Sequence, residues 1–278
     1  MAVGLILSSS NFASGSLADA PWNTSTKDIA FFTGGVYGTA SLNSSLSSPI
    51  TSSGDYSRLF VHQNDGTNRP YGFYLVSSSV DSGVYSGPYS VSKAYSVRAW
   101  IRKESGGNVR DSIIGIILRN KFDGTTQTIS DSAENYNIVP GGYTLQYSSR
   151  AAGTAPGDGS AYLFLQIRDP YSSPLSFGQT TIRCSGSYAL DTWHRVRIDL
   201  IPLFGVGDQI NVYTSSAGDV ASGNEVWEEV ASKFVNNTDS GFVDPADSDA
   251  AMGFYAASQA NNGQDAFIDQ FEILVEDL

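Results

Sequence analysis

Short apolar or alternating runs, separated by clusters of Gly, Ser, Asn, Asp and Pro, recur along the whole chain. Runs of that length with a period of two mark β-strands bounded by turns. Strands are expected at 58–63, 71–77, 95–103, 112–119, 142–148, 161–169, 180–185, 193–200, 209–214, 252–257 and 267–275. "SIIGIILRN" is apolar on both faces, so it should be a central strand covered on each side. "EVWEEVASKFV" places Val226, Val230 and Phe234 on one helical face and also alternates as a strand, which leaves it open. Long loops are expected near 42–57 and 215–250, and no repeat or linker divides the chain. The pattern therefore predicts an all-β, two-sheet antiparallel β-sandwich occupying 1–278 as a single domain.

The closing run "DAFIDQFEILV" contains an anomaly. Alternation puts Phe267, Asp269, Phe271, Ile273 and Val275 on one side, a core-facing row that includes a carboxylate. An unpaired buried carboxylate costs several kcal/mol, so Asp269 should have a partner: a cation, an Arg or a cluster of backbone N–H groups.

Composition narrows the function classes. The chain has 278 residues and a formal charge of −12, with 16 Lys and Arg spread without a basic run. Phosphate recognition needs concentrated positive charge, which argues against nucleic acid as a partner. The apolar stretch of "MAVGLILSSS" runs only from Val3 to Leu7, too short for a signal core or a membrane span. Asn23, Asn43 and Asn236 open N-x-S/T sequons, but Ser is the commonest residue and such matches arise by chance. Cys184, the only cysteine, alternates with Ile182 and reads as a small buried hydrophobe.

Four segments, in this order, carry a resemblance. "NFASGSLADAPW" resembles the first strand of concanavalin A-like jelly rolls, with its aromatic, Gly-x-Leu turn and Trp. "TWHRVRIDL" resembles their late Trp-His strand, and "DQINVYTSS" the strand after it. "MGFYAASQANNGQDAFIDQFEI" resembles the closing pair, in which a Gly-Phe strand leads to a last strand carrying an Asp. The resemblance implies the concanavalin A-like (laminin-G-like and glucanase-like) sandwich fold. It also implies that Asp269, with Phe271 and Ile273 two and four positions on, matches an Asp that helps hold a structural calcium ion in glucanase-like members. Calcium accepts such oxygen ligands readily. The alternative is that Asp269 accepts backbone or Arg hydrogen bonds and ties the two ends of the chain together.

The catalytic motifs of that superfamily are missing. Glucanase-type members aim three carboxylates into a cleft from a Glu-x-Asp-x-x-Glu strand, but none of the seven Glu begins Glu-x-Asp. Glu228 and Glu229 are adjacent and would point to opposite faces of a strand. Lyases on this sandwich use Gln-x-His and Arg-x-Glu-x-Arg strands; "FVHQN" reverses the first and "VRAWIRKE" lacks the Glu of the second. His194 shares a face with Val196, Ile198 and Leu200, the pattern of a satisfied core histidine rather than a catalyst. Two His and one Cys without ligand spacing do not make a catalytic zinc site, and there is no Gly-x-Ser-x-Gly elbow.

Binding remains. Arg98, Trp100 and Arg102 line one face of "SVRAWIR", and Tyr162, Phe164, Gln166 and Arg168 line one face of "AYLFLQIR", with Arg195 and Arg197 candidates to join them. Aromatic rings stack on sugar C–H faces and Arg supplies directional donors. The bland alternative is that these rings are covered and that the Arg residues pair with acids on neighbouring strands. The expected function is a non-enzymatic virion structural protein of a bacteriophage: a capsid decoration, head-fibre or tail-associated sandwich. Its partners would be other virion proteins, copies of itself, and a surface glycan. Its location would be the virion, reached by lysis without an export signal. The alternative is a bacterial carbohydrate-binding module or lectin-like protein acting extracellularly. A polysaccharide lyase or glycoside hydrolase ranks third.

Overall fold

The computed structural model describes residues 5–10, 29–34, 38–43, 56–61, 71–77, 93–103, 113–121, 142–148, 161–168, 179–215, 225–242, 250–257 and 264–277. Every regular element among them is a strand. In chain order these are β1 (Leu5–Ser10), β2 (Ile29–Gly34), β3 (Gly38–Asn43), β4 (Tyr56–Val61), β5 (Tyr71–Ser77), β6 (Lys93–Lys103), β7 (Ile113–Lys121) and β8 (Gly142–Ser148). There follow β9 (Tyr162–Arg168), β10 (Gln179–Arg183), β11 (His194–Leu203), β12 (Gly207–Ser215), β13 (Trp227–Asn236), β14 (Ala250–Ala257) and β15 (Gln264–Asp277).

They form two antiparallel sheets. The eight-stranded sheet runs β13-β12-β11-β6-β15-β4-β3, with β1 also paired to β15; the seven-stranded sheet runs β10-β9-β8-β7-β14-β5-β2. The core between them is the alternate set of each strand. Val97, Ala99 and Ile101 of β6 and Val196, Ile198 and Leu200 of β11 meet Ile114, Ile116 and Leu118 of β7 and Leu163, Leu165 and Ile167 of β9. Each such side chain, fully buried, contributes roughly 1.5–3 kcal/mol. Besides that row, Ile117 of β7 is also buried, as expected for a central strand apolar on both faces. One polar bridge crosses the core: the Tyr143 hydroxyl donates to the buried Asp208 carboxylate at 2.7 Å, which satisfies a charge that burial would otherwise penalise.

One side of the sandwich is closed by the loop after β10. Cys184 N–H donates to Leu163 O and Ser185 N–H to Val230 O, both at 2.9 Å, so the edge strand β13 is tied to the opposite sheet. At the β11–β12 hairpin, Gly207 has a positive φ of 152°. A β-carbon there would lie 2.1 Å from the Val235 carbonyl oxygen, so glycine lets β12 and β13 approach.

One expectation needs correction. The stretch read as a loop near 215–250 contains β13, an edge strand that buries Val235 and packs Val230 and Ala231 against the core while exposing Glu228, Glu229 and Ser232. The first described strand is Leu5–Ser10, upstream of "NFASGSLADAPW", and residues 11–22 lie outside the described residues, as does the 44–55 part of the other expected loop. Register pairs Leu5 with Val275 and Ser10 with Phe271, so the first strand lies on the last.

Candidate functional site

The face of the eight-stranded sheet turned away from the core is ordered in rows across five strands. In one row stand Asp269, Trp100, Arg195, Ser215 and Trp227; in the next stand Glu272, Arg98, Arg197, Tyr213 and Glu229. A third holds Leu274, Ser96, Asp199, Asn211 and Ser232. Pairing carries a side chain's facing from one strand to its neighbour, so residues far apart in sequence share one surface.

This arrangement changes the reading of Asp269. Ile268 lies in the core opposite Ile101, and Phe271 stacks edge-on against Phe254 of the other sheet at 5.2 Å. Those two residues are an odd number apart, yet both point inward, because the register of β15 against β6 shifts between Asp269 and Glu272. A bulge of this kind reverses the alternation. Phe267 and Asp269 therefore leave the core row and share a face with Trp100, Phe267 packing on Trp193 at 6.3 Å. Asp269 remains fully buried there, so its carboxylate still requires partners. Among the described residues, no group of three or more His, Cys, Asp and Glu gathers as a metal-ligand set.

The guanidiniums of the face are locked. Arg98 and Arg197 stand directly opposite each other, an unfavourable like-charge pair unless each has its own acid. Arg98 Nε donates to Glu272 at 2.5 Å and its terminal nitrogen to Glu225 at 3.2 Å. Arg197 turns back onto Asp199, two residues along its own strand, with Nε donating at 2.6 Å. Arg195, only 2% exposed, donates to Glu225 at 2.9 Å and to Glu272 at 3.2 Å. Its guanidinium also lies between Trp100 and Trp227, at 5.9 and 6.0 Å from the ring centres. Burial pulls Arg195 below its ordinary value, while Glu225 and Glu272 oppose that shift, and an Arg so placed stays charged. Arg102 approaches Asp191 at 3.9 Å.

What remains partly open is aromatic and hydroxyl-binding. Tyr213 and Trp227 both lie against the Arg197 guanidinium, at 4.9 and 5.6 Å. Next to them Gln209 donates to Asn211 at 2.8 Å and to Ser232 at 2.7 Å, and Ser232 to Asn211 at 3.0 Å. Burial, then the Asp199 and Glu229 carboxylates, push the Tyr213 phenol above its ordinary value, so it keeps its proton at neutral pH.

The candidate residues thus separate. Arg98, Trp100, Arg102, Arg195 and Arg197 do share one face, but Trp100 is wholly buried and cannot present its ring to a ligand. Its Nε1 has no hydrogen-bond partner, nor do Arg102 Nε and Ser215 Oγ. Tyr162 and Phe164 belong to β9 and point away from the core on the other sheet, so they form no site with Arg195 and Arg197. The two sheets turn these residues to opposite sides of the sandwich. Arg168 ends β9, paired with Gly142 and Gln179, and its side chain lies outside the described residues. No sequence signal groups Trp227, Tyr213, Glu225 and Glu272; the alternation of "DQINVYTSS" places Tyr213 beside Arg197 only once β11 and β12 are paired. His194 Nε2 lies 2.8 Å from Ala189 O and packs edge-on against Tyr147 and Tyr188. Burial lowers its pKa, as suits a neutral core histidine. Burial likewise pushes the Cys184 thiol up to about 12. His62 and Gln63 lie outside the described residues.

No family model and no curated protein match the chain. Among solved structures, the carbohydrate recognition domain of Emp47p aligns over 99% of this chain and 98% of its own, at 14% identity and a TM-score of 0.51. What the two share is the fold, a two-sheet antiparallel β-sandwich. A conserved carbohydrate esterase from the Shiga toxin-encoding bacteriophage phi24B aligns over 99% of this chain and all of its own, at 11% identity and a TM-score of 0.49. The endo-beta-1,4-glucuronan lyase of the fungus Trichoderma reesei aligns over 85% and 87% at 10% identity, with a TM-score of 0.48. At such identities the likeness is one of architecture.

Proposed function

We propose that the chain is a non-enzymatic glycan-binding sandwich whose ligand lies on the outer face of β11, β12 and β13. The observation that carries this reading is the partly open pair Trp227 and Tyr213, both held on Arg197 and bordered by the Gln209, Asn211 and Ser232 network. A ring stacks on the C–H face of a sugar while amides and hydroxyls bond its hydroxyl groups. The charge grid beneath fixes the rings before a ligand arrives, which lowers the entropy cost of binding. The fold, shared with a carbohydrate recognition domain, is consistent with this reading.

The non-enzymatic part rests on how the acids are used. Glu225 and Glu272 already accept guanidinium hydrogen bonds, so neither is presented as a proton donor to a substrate. Tyr213 is held protonated and is no general base.

The proposed setting is a bacteriophage particle, supported by a composition low in charge and rich in Ser and Gly. Contacts with other virion proteins are supported by the β11–β12 hairpin tip. It exposes Leu203, Phe204 and Val206 at 43%, 86% and 50%, and Asn237 braces it by bonding Gly205 O and Val206 O at 2.9 Å. An apolar tip held in one shape suits insertion into a neighbouring subunit.

Binding to an oligosaccharide array tests the glycan reading. Wild type should bind, and Trp227→Ala should weaken binding about fivefold or more, on the order of the 1 kcal/mol that one stacked ring contributes. Absence of binding, or binding indifferent to Trp227→Ala, would overturn it.

A further inference from the structure

The same face carries a selectivity that its charges dictate. Four guanidiniums, Arg98, Arg102, Arg195 and Arg197, each lie within ion-pair distance of a carboxylate. The acids that meet them are Glu225, Glu272, Asp199 and Asp191, and Glu229 adds an exposed carboxylate in the Tyr213 row. Four positive groups thus meet five negative ones before Asp269 is counted. Arg98, Arg195 and Arg197 are all hydrogen-bonded to acids, so none of the three is left over to receive an anionic sugar.

Resting on the glycan reading, we infer that this face selects neutral glycans and rejects those bearing carboxylates. A neutral sugar needs only the Trp227 and Tyr213 rings and the hydrogen-bonding row of Gln209, Asn211 and Ser232. A uronate that sits on those rings brings a carboxylate beside Glu229 and Asp199, and the Arg197 that would receive it is already bonded to Asp199. Like charges brought together repel, and the chain's net −12 adds to the barrier against approach of an anion. A uronate on those rings would have to break the Arg197–Asp199 pair to gain a cation, whereas a neutral sugar leaves the grid intact.

The experiment compares pairs that differ only at C6: gluco- and manno-oligosaccharides against glucurono- and mannurono-oligosaccharides of equal length, by calorimetry on the full chain at low salt. The neutral member should bind at least tenfold more tightly. Raising the salt should narrow the gap, because exposed charges are screened. Glu229→Gln, which removes an exposed carboxylate from the Tyr213 row without touching the buried grid, should raise uronate affinity severalfold and leave neutral affinity within twofold. Equal or tighter uronate binding by wild type would overturn the selectivity while leaving the glycan reading standing. Binding of neither class would overturn the glycan reading, and the selectivity with it.

Discussion

The two outward faces of the sandwich are built from the same kind of strand and differ in how their charged groups are held. On the eight-stranded sheet, every Arg of the β6 and β11 rows meets an acid, and buried Arg195 is held by Glu225 and Glu272. On the seven-stranded sheet, Thr144 and Gln146 of β8 are equally buried, at 1% and 3% exposed, yet Thr144 Oγ1 and Gln146 Nε2 have no hydrogen-bond partner. Their neighbours there are Phe164, opposite Gln146, and Tyr162, on which the Arg183 guanidinium stacks at 3.8 Å. Both faces bury polar groups that have no hydrogen-bond partner, Trp100 Nε1, Arg102 Nε and Ser215 Oγ on the first and Thr144 Oγ1 and Gln146 Nε2 on the second, but among the described residues the frame of Arg–carboxylate pairs belongs to the first. Alternation determines only that a side chain leaves the core; what it meets there is decided by pairing across strands.

That difference can be broken where it is largest. Arg195→Ala would remove the buried cation of the frame and leave Glu225 and Glu272 to Arg98 alone, and should destabilise the fold by about 2–4 kcal/mol in denaturant melts, as two charge-assisted hydrogen bonds are lost. A loss below about 1 kcal/mol would reduce the frame to an ordinary surface pair. Asp269→Ala should cost about 1–3 kcal/mol by leaving its buried partners unsatisfied, with glycan binding retained. A chelator should leave the melting temperature of wild type unchanged if hydrogen bonds alone hold Asp269. A chelator-induced fall in wild type but not in the variant would instead place calcium on that carboxylate. The smallest effect, and one of opposite tendency, belongs to the other face. Thr144→Val and Gln146→Leu should be neutral or stabilising by up to about 1 kcal/mol, since each removes a buried group that has no partner. A clear destabilisation there would mean that those groups are bonded after all.

Much of the fold was legible because it rests on periodicity. The expected strands at 71–77 and 142–148 coincide with β5 and β8, and "SIIGIILRN" is the doubly covered β7. The β13 segment was ambiguous because Val226, Val230 and Phe234 fit a helix as well as a strand; pairing with β12 decided it. The facing of Asp269 was illegible for a different reason. A bulge leaves no mark in the alternation of the strand that carries it, so Phe271 and Asp269 seemed to share a side. The site was half legible. Arg98, Arg195 and Arg197 do face one way, as alternation requires, but Glu225 reaches Arg98 across 127 positions of sequence, a contact that only the fold creates. Trp100 was the most conspicuous ring on the expected face and is the one sealed from solvent, whereas Trp227 stood on a segment whose structure was undecided.

The roles given to these two tryptophans are the account's central claim, and the four indole N–H signals of the chain's four Trp residues report on them directly. In a nitrogen–proton correlation spectrum recorded during titration with a neutral oligosaccharide that the chain binds, the Trp227 indole signal should move in proportion to occupancy. The Trp100 signal, from a ring with no solvent exposure, should stay in place. Movement of the Trp100 indole with Trp227 unmoved would place the ligand elsewhere and contradict the account.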